Sequence, residues 1–206
     1  MRLRRCGPDA VLVEVESLGE VAAARAALAS AGLPGLVELV PAARTVLVSF
    51  QPGSVGLRQV QEVLDGADLS SPPAVASTEV VLPVVYEGLD LELVAETAGL
   101  SVEETVALHS SAIYTVAFCG FAPGFAYLTG LPEPLCQPRL ETPRTRVPVG
   151  SVGVAGEFTG IYPRASPGGW RLVARLADDA AALFDATSSP AALLSPGDQV
   201  RFEVVS

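Results

Sequence analysis

FCGFAPGFAYLTGLP, residues 118–132, carries three phenylalanines, one tyrosine, three glycines and two prolines, and no charge. A core helix excludes Pro and Gly, and so does a plain strand. The stretch therefore reads as large apolar rings held on a backbone that keeps turning. The same texture continues to the last residue. IYTVAF (113–118), VPVGSVGVAG (147–156), GGWRLVARL (168–176) and, after the turn PGD (196–198), QVRFEVV (199–205) are short β-branched runs between Gly and Pro turns. Short strands with frequent turns predict a closed barrel or a sandwich. The uncharged run from Ser110 to Pro132 is 23 residues, long enough to cross a bilayer. Pro123, Gly120, Gly124, Gly130 and several hydroxyls argue for protein core and loop instead.

Working back toward the N-terminus, the pattern changes. AVLVEVE (10–16) reads as a strand. Ser17 is an N-cap, Glu20 completes a capping box, and Gly32 stops the helix between them. LVELV (36–40) and TVLVSF (45–50) flank PAAR as a hairpin-like pair. VGLRQVQEVLDG (55–66) is a second amphipathic helix ending at Gly66. SSPPAVAS (70–77) is a polar, Pro-rich connection. TEVVLPVVY (78–86) reads as another strand. The order is β-α-β-β-α-β, the ferredoxin-like arrangement of an antiparallel sheet with two helices on one face. Whether the last strand joins this sheet or opens the next domain stays open. Residues 90–109 read as two short helices split at Gly99, capped by Asp90 and Ser101, with Ser101 and Glu104 as a capping box. The expected organisation is an α+β domain over 1–77 and a mainly β domain over 78–206.

Composition narrows the function. The chain has 206 residues, half of them hydrophobic, and a net charge of −10. That balance disfavours nucleic acid and anionic membranes as partners. All 13 basic residues are Arg. A P-loop lysine, a Schiff-base lysine and a Ser–Lys dyad are thereby excluded. Three cysteines without CxxC spacing and a single His argue against a zinc site, so no metal is expected. The odd cysteine count points to a reducing, cytoplasmic setting. MRLRRCGPDA has a basic tip without the apolar run of a signal peptide.

Charge is unevenly placed. Residues 138–175 hold six of the 13 arginines (Arg139, Arg144, Arg146, Arg164, Arg171 and Arg175) against two acids, with six Gly and five Pro. Arg forks bind carboxylate or phosphate. The segment reads either as a pocket for such an anion or as surface Arg paired with acids elsewhere. His109 is a candidate general base or a satisfied buried histidine. Cys119, between Phe118 and Gly120, reads as an inert buried thiol rather than a nucleophile. Ser151 in VGSVG lacks the nucleophile-elbow pattern but can donate to a ligand. Trp170 is a pocket wall or a core anchor.

GFAPGFAYLTGLP, PRLETPRTRVPVGSVGVAGEFTGIYPRASPGGW and LLSPGDQVRF closely resemble the B-subunit family of prokaryotic 5-oxoprolinase. This family is also known as allophanate hydrolase subunit 1, as a carboxyltransferase-type domain and as the sporulation kinase inhibitor of bacilli. The resemblance is strongest over about residues 82–205. It implies an N-terminal ferredoxin-like domain and a C-terminal cyclophilin-like barrel. It also implies work with a homologous C subunit and a separate A subunit, using ATP to open the lactam of 5-oxoproline to glutamate. Alternatives within the resemblance are an inhibitor that docks on a histidine kinase and a component of a urea or allophanate amide-hydrolysis system. Residue by residue, His109, Arg144, Arg175, Phe121, Phe125, Tyr127, Ser151, Thr159, Tyr162 and Trp170 fall on motif positions of the family. His109, Arg144 and Arg175 are the catalytic candidates, and Phe121, Phe125, Tyr127, Arg146, Ser151, Thr159, Tyr162 and Trp170 the substrate-binding candidates. Three features depart from the family pattern. Phe158 stands where the family has Gln, Ala174 and Leu176 flank the last Arg, and GLD (88–90) replaces GPD. The aromatic loop is expected to wall a cleft at the barrel, its rings shared between ligand and core.

Overall fold

The computed structural model describes residues 1–54, 56–71 and 77–205. Strands β1 (Arg2–Arg5), β2 (Ala10–Glu14), β3 (Leu36–Pro41) and β4 (Thr45–Phe50) form an antiparallel sheet in the order β1-β2-β4-β3. Helix α1 (Leu18–Ser30) follows β2, and α2 (Leu57–Asp65) follows β4. Period-2 alternation puts Val11 and Val13 of β2, and Val46, Val48 and Phe50 of β4, into one buried face. Leu28 of α1 and Val60 and Leu64 of α2 pack into the same core. Ser17 Oγ accepts the Glu20 N–H at 3.2 Å. The Glu20 carboxylate reaches back to the Glu16 N–H at 3.0 Å, one residue before the cap, so the box is offset by one position.

The expected β-α-β-β-α-β order is corrected here to β-β-α-β-β-α. The strand at 78–86 does not complete this sheet. Its place beside β2 is taken by β1, from the stretch that reads as a basic tip. Alternation explains the difference. Leu3 of β1 packs on the core while Arg4 pairs with Glu14 at 3.1 Å across the strands. The Pro-rich connection falls mostly on residues 72–76, outside the described residues. The chain divides into units Met1–Val75 and Ala76–Ser206.

The second unit contains β5 (Glu79–Val85), α3 (Leu91–Ala98), α4 (Val102–Ser111), β6 (Tyr114–Cys119), β7 (Ala126–Thr129) and a 3₁₀ turn at Glu133–Leu135. It continues with β8 (Arg144–Val147), β9 (Ser151–Ala155), β10 (Phe158–Ile161), β11 (Ser166–Gly168), β12 (Arg171–Leu176) and β13 (Gln199–Val204). Seven strands close a barrel in the order β10-β7-β6-β13-β5-β12-β9, and β8 and β11 form a separate ribbon. The barrel fits the cyclophilin-like expectation. Strands β5 and β13 pair in parallel, Leu82 opposite Phe202, and the other barrel pairings are antiparallel. Leu82, Val84, Tyr114, Val116, Leu128, Val152, Val154, Ile161, Val200 and Phe202 belong to its buried core. Gly99, left-handed at φ 70°, ends α3, and Ser101 with Glu104 makes the full capping box that opens α4. No helix among the described residues is long and apolar enough to cross a membrane. The uncharged run becomes the end of α4, then β6, a tight turn and β7.

Two glycines prepare the barrel wall for the aromatic site. Gly160 of β10 lies opposite Gly153 of β9. A Cβ on Gly160 would meet Ala126 O at 2.8 Å and the Phe125 and Trp170 rings at 3.2 Å; one on Gly153 would meet Trp170 Cβ at 3.0 Å. The bare backbone is the seat on which these rings rest. Gly160→Val should therefore displace them and destabilise the fold by about 1–3 kcal/mol, the usual cost of overpacking. The check is a lower denaturation midpoint in urea at an unchanged m-value.

Candidate functional site

Strand β6 ends at Cys119 and β7 begins at Ala126, so GFAPGF is the connecting turn. Gly124 adopts φ 82°, and a Cβ there would lie 2.7 Å from Phe184 Cβ. Phe121 adopts φ 68°, the single non-glycine residue at positive φ among the described residues. A bulky side chain in that conformation is strained by about 1–3 kcal/mol, and such strain concentrates at binding sites. Here it holds a large ring outward: Phe121 is 59% exposed, while Phe125, four residues on, is 1% exposed.

The rings build a connected cluster. Phe125 meets Phe121, Tyr162 and Trp170 edge to face, with centroids at 5.3, 5.4 and 5.5 Å. Tyr127 stacks on Phe118 at 4.3 Å and meets Trp170 at 5.6 Å. Phe158, in place of the family's Gln, joins this stack edge-on at 5.7 Å from both Phe118 and Tyr127. Between the rings lies a cleft of about 100 Å³, lined by Phe121, Phe125, Tyr127, Arg139, Tyr162, Pro167, Gly168, Gly169 and Trp170. Burial raises the pKa of the Tyr162 phenol, and the Trp170 backbone N–H and the charges of Arg139 and Arg144 offset part of that rise. The phenol therefore remains a donor. Its hydroxyl sits beneath Gly168, where a Cβ would come within 2.3 Å of it. Phe125 and Trp170 are buried in the core beneath the cleft, and Phe121 and Tyr127 line it from the side.

Arg144 has a different job from the expected anion clamp. Its Nη2 donates to Asp90 Oδ1 at 2.7 Å, and Asp90 Oδ2 accepts the Leu172 N–H at 2.7 Å. Asp90 is buried. The expected Asp90 cap is corrected accordingly: the carboxylate makes no capping bond to α3 because β12 and Arg144 occupy it. Arg144 Nη1 is buried without a partner among the described residues. The sequence reading missed this role of Asp90, although GLD in place of GPD marked its segment.

Ser151 and Arg175 come together in a second cleft of about 130 Å³, with Glu87 and Val149. An adjoining groove of about 350 Å³ shares Arg175 and Val149 and is bordered by Tyr162, so this tyrosine touches both regions. Arg175 pairs with Glu87 through Nε and with Asp178 through Nη1 at 3.1 Å. Arg171 donates to Thr97 Oγ1 at 3.0 Å and to Gln137. Arg146 and Arg164 are exposed, near the β8–β11 ribbon. Within the basic segment, Arg144 and Arg175 are paired with acids as the second of the two readings expects, while Arg146 and Arg164 stay exposed.

His109 and Thr159 lie inside the barrel, apart from either cleft. His109 is 1% exposed and stacks on Phe202 at 4.9 Å. Its Nδ1 lies 2.7 Å from Tyr86 Oη and its Nε2 3.2 Å from Thr159 Oγ1. Thr159 spends its one proton on Gly153 O at 3.1 Å. Thr159 must therefore accept from Nε2–H, and Tyr86 must donate to Nδ1. Burial lowers the His109 pKa to about 3 and raises that of Tyr86 well above the usual phenol range, consistent with a neutral ring and a protonated phenol. The expectation of a general base is corrected to a buried, doubly hydrogen-bonded brace. Thr159 is likewise no ligand contact, being fully enclosed. Burial also raises the Cys119 pKa, as an inert thiol requires.

Residues 1–194 match the family model "Carboxyltransferase domain, subdomain C and D". The B subunit of 5-oxoprolinase from Escherichia coli O157:H7 is 39% identical over 213 residues, covering 98% of this chain and 96% of that protein. Among solved structures, TTHA0988 superposes with a TM-score of 0.80 at 35% identity, covering 96% of this chain; the chain spans 40% of that longer protein. The Kluyveromyces lactis urea carboxylase shares the fold, with a TM-score of 0.76 at 21% identity over 99% of this chain and 22% of its own.

The buried imidazole makes an acid-stability prediction. Its folded pKa is depressed to about 3, while the unfolded chain keeps the ordinary 6.5. Below 6.5 the unfolded state binds a proton that the folded state refuses, so His109 contributes stability above pH 6.5 that is lost as pH falls toward 3. The slope from this group approaches about 1.4 kcal/mol per pH unit. His109→Gln should flatten the His-linked part of the pH–stability curve. Because the chain has one histidine, ¹⁵N spectra can read it directly: a persistent Nε2–H tautomer between about pH 5 and 8 is expected, and titration near the ordinary value contradicts the brace.

Proposed function

Because the chain belongs to the B-subunit family of 5-oxoprolinase, built on the carboxyltransferase C and D subdomains, we propose that it is the B subunit of an ATP-dependent 5-oxoprolinase. The observation that carries this reading is the full-length relation to the E. coli protein, joined to a cleft that the aromatic turn and PGGW build together. In this reading a homologous C subunit and an A subunit complete the enzyme. ATP phosphorylates the lactam oxygen. One water then adds at the activated carbon and the C–N bond opens to γ-glutamyl phosphate; a second water releases phosphate, leaving glutamate and ADP.

The chain's own part is to hold a small ring. Phe121 and Tyr127 cover its faces, Trp170 and Phe125 form the floor, and Tyr162 offers a phenolic donor to a developing negative oxygen. A cleft of about 100 Å³ is well below the roughly 300–1,000 Å³ typical of sites that enclose larger ligands. It suits the lactam, and we assign ATP to the complex rather than to this cleft. Three free thiols, Cys6, Cys119 and Cys136, suit the reducing cytoplasm where ATP is at hand.

The test is reconstitution with the A and C subunits, following 5-oxoproline-dependent ATP hydrolysis and glutamate formation with and without this chain. Both products should require it. A complex that forms without making glutamate points to another amide substrate, and failure to form a complex overturns the reading. Phe121→Gly refines the test. It relieves the positive-φ strain, so stability should change by less than about 1 kcal/mol. It also removes the ring from the wall, so KM for 5-oxoproline should rise several-fold.

A further inference from the structure

Of the six arginines in the basic segment, Arg139 alone lines the aromatic cleft. Arg144, Arg171 and Arg175 are engaged by Asp90, Gln137 and Thr97, and Glu87 and Asp178 respectively. Arg139 forms no ion pair among the described residues. In a chain with 23 acidic and 13 basic residues, an arginine beside a cleft with no acid partner is a charge left available.

Its backbone is fixed rather than loose. Gln137 bridges to Gly156, whose N–H donates to Gln137 O at 2.7 Å, and the Gln137 side chain donates to Val94 O at 2.8 Å. On the other side, the Leu140 N–H donates to Gly169 O at 2.8 Å. Residues 137 and 140 are thus strapped to the barrel and to PGGW, and Arg139 is presented between the straps at the cleft. Its positive charge is felt by the phenols of both Tyr127 and Tyr162.

We infer that Arg139 is the residue that reads a carboxylate on the ring held in the aromatic cleft. This deepens, and rests on, the lactam reading of the site. The guanidinium fork matches a carboxylate in a bidentate way. The rings of Phe121, Tyr127 and Trp170 suit the apolar part of a compact cyclic ligand, and the Tyr162 phenol supplies a second polar point. One fork, one phenol and about 100 Å³ describe a small monocarboxylate. The specificity rule is that neutral lactams and amides of the same size bind poorly.

The chain has a single tryptophan, Trp170, which lines this cleft. Its fluorescence reports occupancy without catalysis. The full-length chain is titrated with 5-oxoproline, 5-oxoprolinamide, 2-pyrrolidinone and inorganic phosphate, as wild type and as Arg139→Gln and Arg139→Lys. Expected is a response to 5-oxoproline weakened about tenfold or more in Arg139→Gln, the scale of a lost charged hydrogen bond, with partial recovery in Arg139→Lys. The two neutral compounds should bind weakly and equally to all three proteins. In the reconstituted complex, the same Gln variant should raise KM for 5-oxoproline and leave KM for ATP unchanged. Equal 5-oxoproline binding by wild type and Arg139→Gln overturns the inference. So does phosphate binding as well as 5-oxoproline, or no tryptophan response to any carboxylate. If the complex fails to turn over 5-oxoproline while Arg139-dependent carboxylate binding persists, the proposed enzyme falls and the carboxylate site stands.

Discussion

The buried carboxylate of Asp90 ties together the parts that the site depends on. One oxygen takes the Leu172 N–H of β12 and the other takes Arg144 of β8. The Asp90 N–H donates to Leu172 O at 2.9 Å, so the residue is stitched to β12 by backbone and side chain together. Arg144 pairs with Gly168 across the ribbon that leads into PGGW. A charge this buried is tolerable only when it is fully hydrogen-bonded and paired. The requirement fixes the start of α3, the start of β12 and the aromatic ribbon relative to one another. It is one of the ties on the ribbon that leads to Gly169 and Trp170, beside the seat at Gly153 and Gly160 and the Leu140 N–H on Gly169 O.

The barrel interior follows the same logic. His109, Tyr86 and Thr159 satisfy each other in a directional chain that ends on Gly153 O. Gly153 lies opposite Gly160 across the β9–β10 pair, and these two glycines also seat Trp170 and Phe125. The barrel wall is therefore braced by a polar chain on one side at the point where it carries the aromatic cluster on the other. A histidine with both nitrogens engaged and its ring stacked on Phe202 contributes rigidity to that wall.

Local chemistry made much of the fold legible. Ser101 with Glu104, the left-handed stop at Gly99, the hairpin around 41–44 and the β-branched runs of the second half each became the element they predict. The N-terminal strand was not legible because RLRR has one apolar residue in four, and its place depends on pairing with β2. For the same reason TEVVLPVVY could not be assigned to a sheet. Its alternation is satisfied by any apolar face, and only barrel closure against β12 and β13 selects one.

The sequence by itself determined the family, the mixed first half and turn-rich β second half, and the concentration of rings and arginines around one region. These are properties of residue type and spacing, which act over a few positions. Only the tertiary structure decided which arginine is open and which is a strut, that the one histidine is enclosed, and that Phe121 faces out while Phe125 faces in. The polar outcomes depend on partners 50 to 88 residues away: Thr159 for His109, Asp90 for Arg144 and Glu87 for Arg175. The rings depend on the seat that Gly153 and Gly160 form on another pair of strands. Burial and pairing of a polar group are set by whatever the fold brings beside it, and no local pattern carries that information.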